Sequence, residues 1–285
     1  MNAVAERSVV AAGVRLRVRV EGTAHGGTPV LVLHGFTGCA ESMQDVVDAL
    51  SATRRVVAPD LVGHGGSESP EDPSRYEMEA CVEQLIGVMD RLDLGRAHVV
   101  GYSMGGRVAL SLCVAHPDRV ASLLLVGASP GLARPEEREV RVAADDGLAS
   151  EILGDGLEGF VDRWMALPLF ATQASLPAEV LQRQRAQRLQ SDPAGLAGSL
   201  RGMGTGAMPA LHEHLKEIAQ PLCLVAGALD VKFARLAREM AARIPRARVA
   251  LIDGVGHAAH LEDPDRFAEV ARAFLDDLES KGDPR

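Results

Sequence analysis

Gly101-Tyr102-Ser103-Met104-Gly105 fits the pattern G-x-S-x-G. It follows the apolar run His98-Val99-Val100 and opens a stretch, 104–115, whose apolar residues recur at spacings of three and four. A strand passing into a helix through a glycine-flanked serine is the setting of a nucleophile elbow, because the glycines permit a turn tight enough to push the serine side chain into the open. A serine hydroxyl needs a base, and the base needs an acid that holds its tautomer. In elbow-type sheets the acid and the histidine follow the serine in that order. The predicted partners are therefore Asp230, just past the apolar run 222–226, and His257, just past the run 249–252. Both lie beyond the C-terminal ends of strands, where open α/β sheets form their ligand crevices. Asp253 competes as the acid and His260 as the base. The blander roles are a helix cap for Asp230 and a surface-loop residue for His257. An oxyanion hole would come from backbone N–H groups: that of Met104, next after the serine, and that of Phe36 in His34-Gly35-Phe36-Thr37-Gly38. His34, and His64 within Asp60-Leu61-Val62-Gly63-His64-Gly65-Gly66-Ser67, read as turn architecture. The second stretch lacks the Gly-Lys-Ser/Thr ending of a phosphate loop.

The elements that must position these groups are legible from periodicity. Val14, Leu16, Val18 and Val20 alternate with arginines, as in a half-exposed strand. Residues 29–33 form an uninterrupted apolar run, as in a strand buried on both faces. Similar short runs occupy 56–58, 98–100, 123–126, 222–226 and 249–252, with helical spacing over 75–92, 104–115, 233–243 and 265–279. Strands alternating with helices predict an α/β protein with a mostly parallel sheet. Between about Gly131 and Lys216 no strand pattern is found. Helical stretches at 138–152, 157–165, 177–190 and 194–202 are punctuated there by Pro168, Pro177 and Pro193. The expected organisation is a core over 1–130 and 218–285, with a helical cap at 131–217 inserted after the sixth strand. The tail at 283–285 is expected to fray.

Composition narrows the function classes. The chain has 285 residues, 47% apolar and 24% charged, with 30 basic and 39 acidic side chains and a net charge of −9. That is an ordinary globular composition with no domain-wide nucleic-acid footprint. Only Lys216, Lys232 and Lys281 are lysines, leaving 27 arginines, so arginine abundance alone cannot mark an anion site. Cys39, Cys81, Cys113 and Cys223 form no CxxC pair and no zinc-finger spacing, which fits a reducing compartment. No signal-peptide pattern and no membrane-length apolar run is present, so a cytoplasmic protein is expected. His212-x-His214 and His257-x-x-His260 lack a third ligand, so no metal is expected.

From HGFTG through GYSMGG to the glycine-histidine pair at 256–257, the chain resembles an α/β-hydrolase-fold enzyme. Several stretches resemble one branch more closely: GYSMGGR at 101–107, SPGL at 129–132, WMALPLF at 164–170, PAGLAGSLRGMGTG at 193–206, DVKF at 230–233 and GHAAHLEDP at 256–264. Together they are similar to the 2-succinyl-6-hydroxy-2,4-cyclohexadiene-1-carboxylate synthases of menaquinone biosynthesis, over about Val14 to Phe274. The resemblance implies a lyase that needs no cofactor or metal. It would release pyruvate from 2-succinyl-5-enolpyruvyl-6-hydroxy-3-cyclohexene-1-carboxylate, a small-molecule tricarboxylate. It also implies a triad of Ser103, Asp230 and His257, substrate-contact arginines at Arg107, Arg141 and Arg188, and pocket positions at Tyr102, Trp164 and Phe170. Three bidentate guanidinium groups suit three carboxylates. Arg107 follows Ser103 by four residues, about one helical turn, and so would face the same crevice. Arg138, a turn before Arg141, remains an alternative. Met43 and His212 stand where the family pattern has tryptophan, and Met208 where glutamine is more usual. These departures bear on how the lid packs and fits its substrate.

Other readings use the same residues differently. A carboxylesterase or carbon–carbon bond hydrolase would use the triad for acyl transfer and would need no arginine cluster. A binding protein would need no elbow, and a dehalogenase would carry aspartate at 103. Neither nucleic acid nor membrane insertion is expected, and the protein is expected to be a monomer or small homo-oligomer.

Overall fold

Two residues with positive φ, Ala12 (47°) and Gly13 (80°), turn the chain between β1 (Ala5–Ala11) and β2 (Val14–Glu21). Positive φ at both central positions gives a hairpin turn that matches strand twist. The computed structural model describes residues 4–22 and 27–280; the tail at 283–285 lies outside them. Six further strands follow: β3 (Val30–Leu33), β4 (Val56–Pro59), β5 (Ala97–Tyr102), β6 (Val120–Val126), β7 (Leu222–Gly227) and β8 (Ala247–Ile252). They form one sheet in the order β1-β2-β4-β3-β5-β6-β7-β8. β2 runs antiparallel to β1 and β4, and all pairs from β4 onward are parallel. The chain thus has the expected α/β-hydrolase architecture.

The central strands are apolar along their whole length because helices cover both faces. One apolar layer joins α2 (Met78–Arg91), α3 (Met104–Ala115) and α8 (Val231–Ala241) to the sheet. The other joins α1 (Gln44–Ser51) and α10 (Pro264–Ser280), through Val46, Leu50, Phe267 and Phe274. A one-turn helix, α9 (Ala259–Glu262), precedes α10. β1 was not visible in the periodicity: Ala5–Ala11 has one apolar pair and little alternation. It is a strand because β2 offers it an edge, and with it the helical insertion leaves the sheet after the sixth strand. α1 also went unread, and β8 proves a half-exposed edge strand rather than a buried one.

Between β6 and β7 lie α4 (Pro135–Asp155), α5 (Leu157–Met165), α6 (Ala178–Arg188) and α7 (Pro193–Met203). Pro135 and Pro193 open their helices, where a missing N–H costs nothing. This cap has a small apolar core of its own, from Ala149, Ile152, Phe160, Val161, Leu196, Ala197 and Leu200. Among the described residues no helix is long and apolar enough to cross a membrane.

Three buried histidines make stability depend on pH. Burial lowers the pKa of His34 and pushes His64 and His260 down to about 3, against the ordinary 6.5. As pH falls from 6.5 toward 3, the unfolded chain binds protons there that the folded chain does not, so stability falls. Between pH 7.5 and 5.5 the loss should be on the order of 1 kcal/mol for each of His64 and His260, with His34 acting in the same direction. Urea unfolding at the two pH values checks this, and equal midpoints would contradict it.

Candidate active site

Ser103 stands alone between the end of β5 and the start of α3, at φ 51° and ψ −105°. A serine resists positive φ, so the conformation persists only because its neighbours impose it. The Ser103 N–H donates to the carbonyl of Val126 on β6 at 2.8 Å, and the Arg107 N–H donates to the Ser103 carbonyl at 3.1 Å. Gly105 lets the first turn of α3 touch the end of β3: a Cβ there would lie 2.3 Å from the Leu33 carbonyl oxygen and 2.6 Å from that of His34.

His257, on the loop after β8, lies with Nε2 3.1 Å from Ser103 Oγ and Nδ1 2.8 Å from Asp230 Oδ2. These partners assign the proton to Nδ1, which donates to the carboxylate and leaves the Nε2 lone pair facing the serine hydroxyl. Asp230 is also the cap of α8: its Oδ1 accepts from the Phe233 N–H at 3.1 Å. The capping role read from the sequence is therefore real and compatible with the other, one oxygen serving each. His257 is 2% exposed, not a surface-loop residue, and is packed by Phe233, Tyr102 and Phe170 at ring distances of 4.5, 5.4 and 6.2 Å. His260 packs against Tyr102 with ring centroids 4.4 Å apart and the rings tilted by 52°, and among the described residues it makes no bond to Ser103. Asp253 is exposed on the preceding loop.

The Met104 N–H begins α3 and lies outside its hydrogen-bond ladder. Among the described residues neither it nor the Phe36 N–H donates to a backbone carbonyl. His34 spends both ring nitrogens on architecture: Nδ1 donates to the Gly35 carbonyl at 2.8 Å and Nε2 accepts from the Leu61 N–H at 3.0 Å. His64 donates through Nδ1 to the Val62 carbonyl and packs against His34 and Phe36.

Ser103 and His257 open into a cavity of about 490 Å³ between cap and sheet. Phe36, Tyr102, Met104, Trp164 and Phe170 line it, together with the guanidinium-bearing Arg107, Arg141 and Arg188. Arg107 donates to the Met203 carbonyl at 2.6 Å, and Arg188 to Thr37 Oγ1 at 3.2 Å. Among the described residues neither has a carboxylate in salt-bridge contact. Burial pushes the Arg107 guanidinium down to about 10, with the nearby Arg141 charge adding to the effect and Asp145 opposing it. Burial also lowers Arg188. Arg141 is anchored by Asp145, Nε to Oδ1 at 2.8 Å. Arg138 instead donates to the Gly206 carbonyl and lines a separate groove. Of the two arginines left open by the sequence, Arg141 is the one at this cavity.

Lys232, Phe233, Arg235 and Ser199 also line the cavity and were not singled out from the sequence. Lys232 and Phe233 lie two and three residues after Asp230, so the first turn of the helix that Asp230 caps was the available signal. Of the three unusual positions, only His212 reaches this cavity. Met43 is 1% exposed, in the layer with α1 and α10, so its substitution bears on core packing rather than the lid. Met208 is buried, with Sδ 3.5 Å from Arg107 Nη1, and acts on the cavity only through that arginine. Among the described residues one group, Cys39, Glu41 and Asp60, brings metal-type ligand atoms within 4.8 Å. The Arg17 guanidinium already pairs with both carboxylates, and burial pushes the thiol up to about 12.

Gly105→Ala should destabilise by more than about 2 kcal/mol, since its Cβ would collide with backbone. Gly147→Ala, on exposed α4 with nothing within 4 Å of an added Cβ, should be neutral or stabilising by up to about 1 kcal/mol. Urea unfolding of the pair checks the contrast.

A family model for the alpha/beta hydrolase fold matches residues 28–264. A Bacillus subtilis (strain 168) protein with the provisional name 2-succinyl-6-hydroxy-2,4-cyclohexadiene-1-carboxylate synthase is 38% identical over 93% of this chain and 96% of its own length. The synthase of that name from Pectobacterium atrosepticum is 32% identical over 86% of this chain and 93% of its own. The solved structure of MenH from S. aureus superposes with a TM-score of 0.88 at 34% identity, over 92% of this chain and 98% of that one. The chain belongs to the alpha/beta hydrolase fold family and, within it, to the 2-succinyl-6-hydroxy-2,4-cyclohexadiene-1-carboxylate synthases.

Proposed function

We propose that this protein is a lyase that eliminates pyruvate from 2-succinyl-5-enolpyruvyl-6-hydroxy-3-cyclohexene-1-carboxylate to give 2-succinyl-6-hydroxy-2,4-cyclohexadiene-1-carboxylate. The observation that carries this is the meeting, in one cavity, of a hydrogen-bonded Ser103–His257–Asp230 chain with the guanidinium groups of Arg107, Arg141 and Arg188. The substrate has three carboxylates and a ring carbon–hydrogen bond made acidic by a neighbouring ketone and a neighbouring ring double bond. A neutral ester would use the triad and leave the arginines without purpose. The names of the relatives support the same reading.

In the mechanism, Ser103 Oγ takes the proton from the ring carbon beside the succinyl ketone as its own proton passes to His257 Nε2. The carbon–hydrogen electron pair moves into the ketone, and the N–H groups of Phe36 and Met104 hold the enolate oxygen. That pair then returns through the ring, the double bond shifts, and the bond from ring carbon to enolpyruvyl oxygen breaks. The departing enolate of pyruvate is protonated on carbon by the proton that His257 Nε2 gives back through Ser103 Oγ, which forms pyruvate and restores the neutral imidazole. Asp230 holds the imidazole tautomer and stabilises the imidazolium formed in the first step. Tyr102, Trp164 and Phe170 shape an apolar wall that strengthens each charge contact by excluding water. The protein needs no cofactor in this scheme. It acts in the cytoplasm, where its four buried free cysteines are at home.

Pyruvate release and diene absorbance, followed together against a protein-free blank, test the proposal; the blank matters because the substrate also eliminates unaided. Ser103→Ala should lower the rate by at least about 10³-fold, with no acyl-serine trapped in the native enzyme. Asp230→Asn should lower it by more than about 10²-fold, and a loss of tenfold or less would remove that residue from the triad. Arg107→Gln should raise KM by about 10- to 100-fold. Turnover of aryl esters without acceleration of pyruvate release would instead make the protein a hydrolase.

A further inference from the structure

Beside the large cavity lies a second one of about 20 Å³, at the seam between cap and core. Gln173, Gln184 and Arg188 line it from the cap, and Tyr102, Ala258 and His260 line it from the core. Three nitrogens of these side chains have no hydrogen-bond partner among the described residues: Gln173 Nε2, Arg188 Nε and His260 Nδ1. Their residues are 5, 7 and 3% exposed. A buried donor without a partner is costly, and a charged one more so. A single water needs roughly 10–15 Å³ and two to four polar partners; the cavity has the volume, and three of its lining residues carry these unpartnered nitrogens.

The donor set selects the occupant. Arg188 Nε and Gln173 Nε2 can only donate. His260 is neutral, pushed down to about 3 by burial, with His257 and Arg188 adding, so its ring keeps a lone pair. Water accepts from the first two and donates to the third. A halide accepts only, and would need His260 in the other tautomer.

We propose that this cavity holds one ordered water that ties Gln173 and Arg188 of the cap to His260 of the core, fixing the guanidinium that also lines the catalytic cavity. Arg188 stands in both walls, and its Nη1 is separately held by Thr37. Gln173 is thereby a positioning residue: it acts on substrate through the water and Arg188. The kinetic consequence rests on the lyase reading above; the water does not.

A crystal structure of the wild-type protein should show a water peak within hydrogen-bond distance of all three nitrogens, and crystals soaked in bromide should show no anomalous peak there. A bromide peak would make the site a halide site. A dry cavity, or one filled by a side chain, would remove the water; either result overturns the proposal. Gln173→Leu, checked for unchanged thermal unfolding, should raise KM about tenfold and change kcat less than about threefold. An unchanged KM would overturn the positioning role. If the wild-type protein releases no pyruvate, the lyase reading falls, while the diffraction map still decides the water.

Discussion

Ser103 occupies a backbone conformation that its own side chain makes costly, and the site is organised around the two elements that hold it there. β5 is clamped between β3 and β6, and α3 leaves it at once, packed through Gly105 against the end of β3. A non-glycine residue in such a region costs about 1–3 kcal/mol, which the buried sheet and helix outweigh. The result is a hydroxyl displayed above the C-terminal edge of a parallel sheet. Because β5, β6, β7 and β8 are successive neighbours in parallel register, the loops after β7 and β8 emerge at that same edge. Asp230 and His257 need only those loops to reach the serine.

The second constraint is electrostatic. Most arginines with a described partner sit among carboxylates: Arg17 with Glu6, Glu41 and Asp60, Arg54 with Asp276 and Glu279, Arg185 with Glu158 and Asp162. Arg107 and Arg188 are burdened by burial without that compensation. In a protein of net charge −9, cations kept from internal acids are available to an external one. The desolvation they carry is offset when a polyanionic ligand pairs with them, so the same charges that are costly to bury favour binding of an anion.

The cap closes this arrangement with aromatic side chains. Trp164 lies 5.2 Å from the Phe36 ring and 6.0 Å from that of Phe170, so an aromatic wall joins the insertion to the loop after β3. That loop also carries the Phe36 N–H. Cap packing and the position of the Phe36 N–H are therefore mechanically linked, and His34, by bonding the loop to Leu61, keeps it in place from beneath.

The α/β class, the strand–turn–helix around Ser103, the three side chains that meet in the Ser103–His257–Asp230 hydrogen-bonded chain and the run of helices between β6 and β7 were readable along the chain, because each leaves a local signal. A strand–turn–helix needs glycine at defined positions, a buried strand is apolar throughout, and an amphipathic helix repeats its own period. β1, with little pattern of its own, became a strand only through the edge that β2 presents. Arg138 and Arg141 lie three residues apart on α4 and are equal candidates by period; only the packing of α4 against α7 turns one to the cavity and the other away. Lys232 and Phe233 have unremarkable spacing until the sheet edge brings Phe233 beside His257 and Lys232 to the same cavity. The sequence by itself determined which groups could do the chemistry, since that is a property of residue type and local backbone. The tertiary structure alone decided which cations meet them and which lose their acidic partners, since both depend on desolvation by residues distant in the chain.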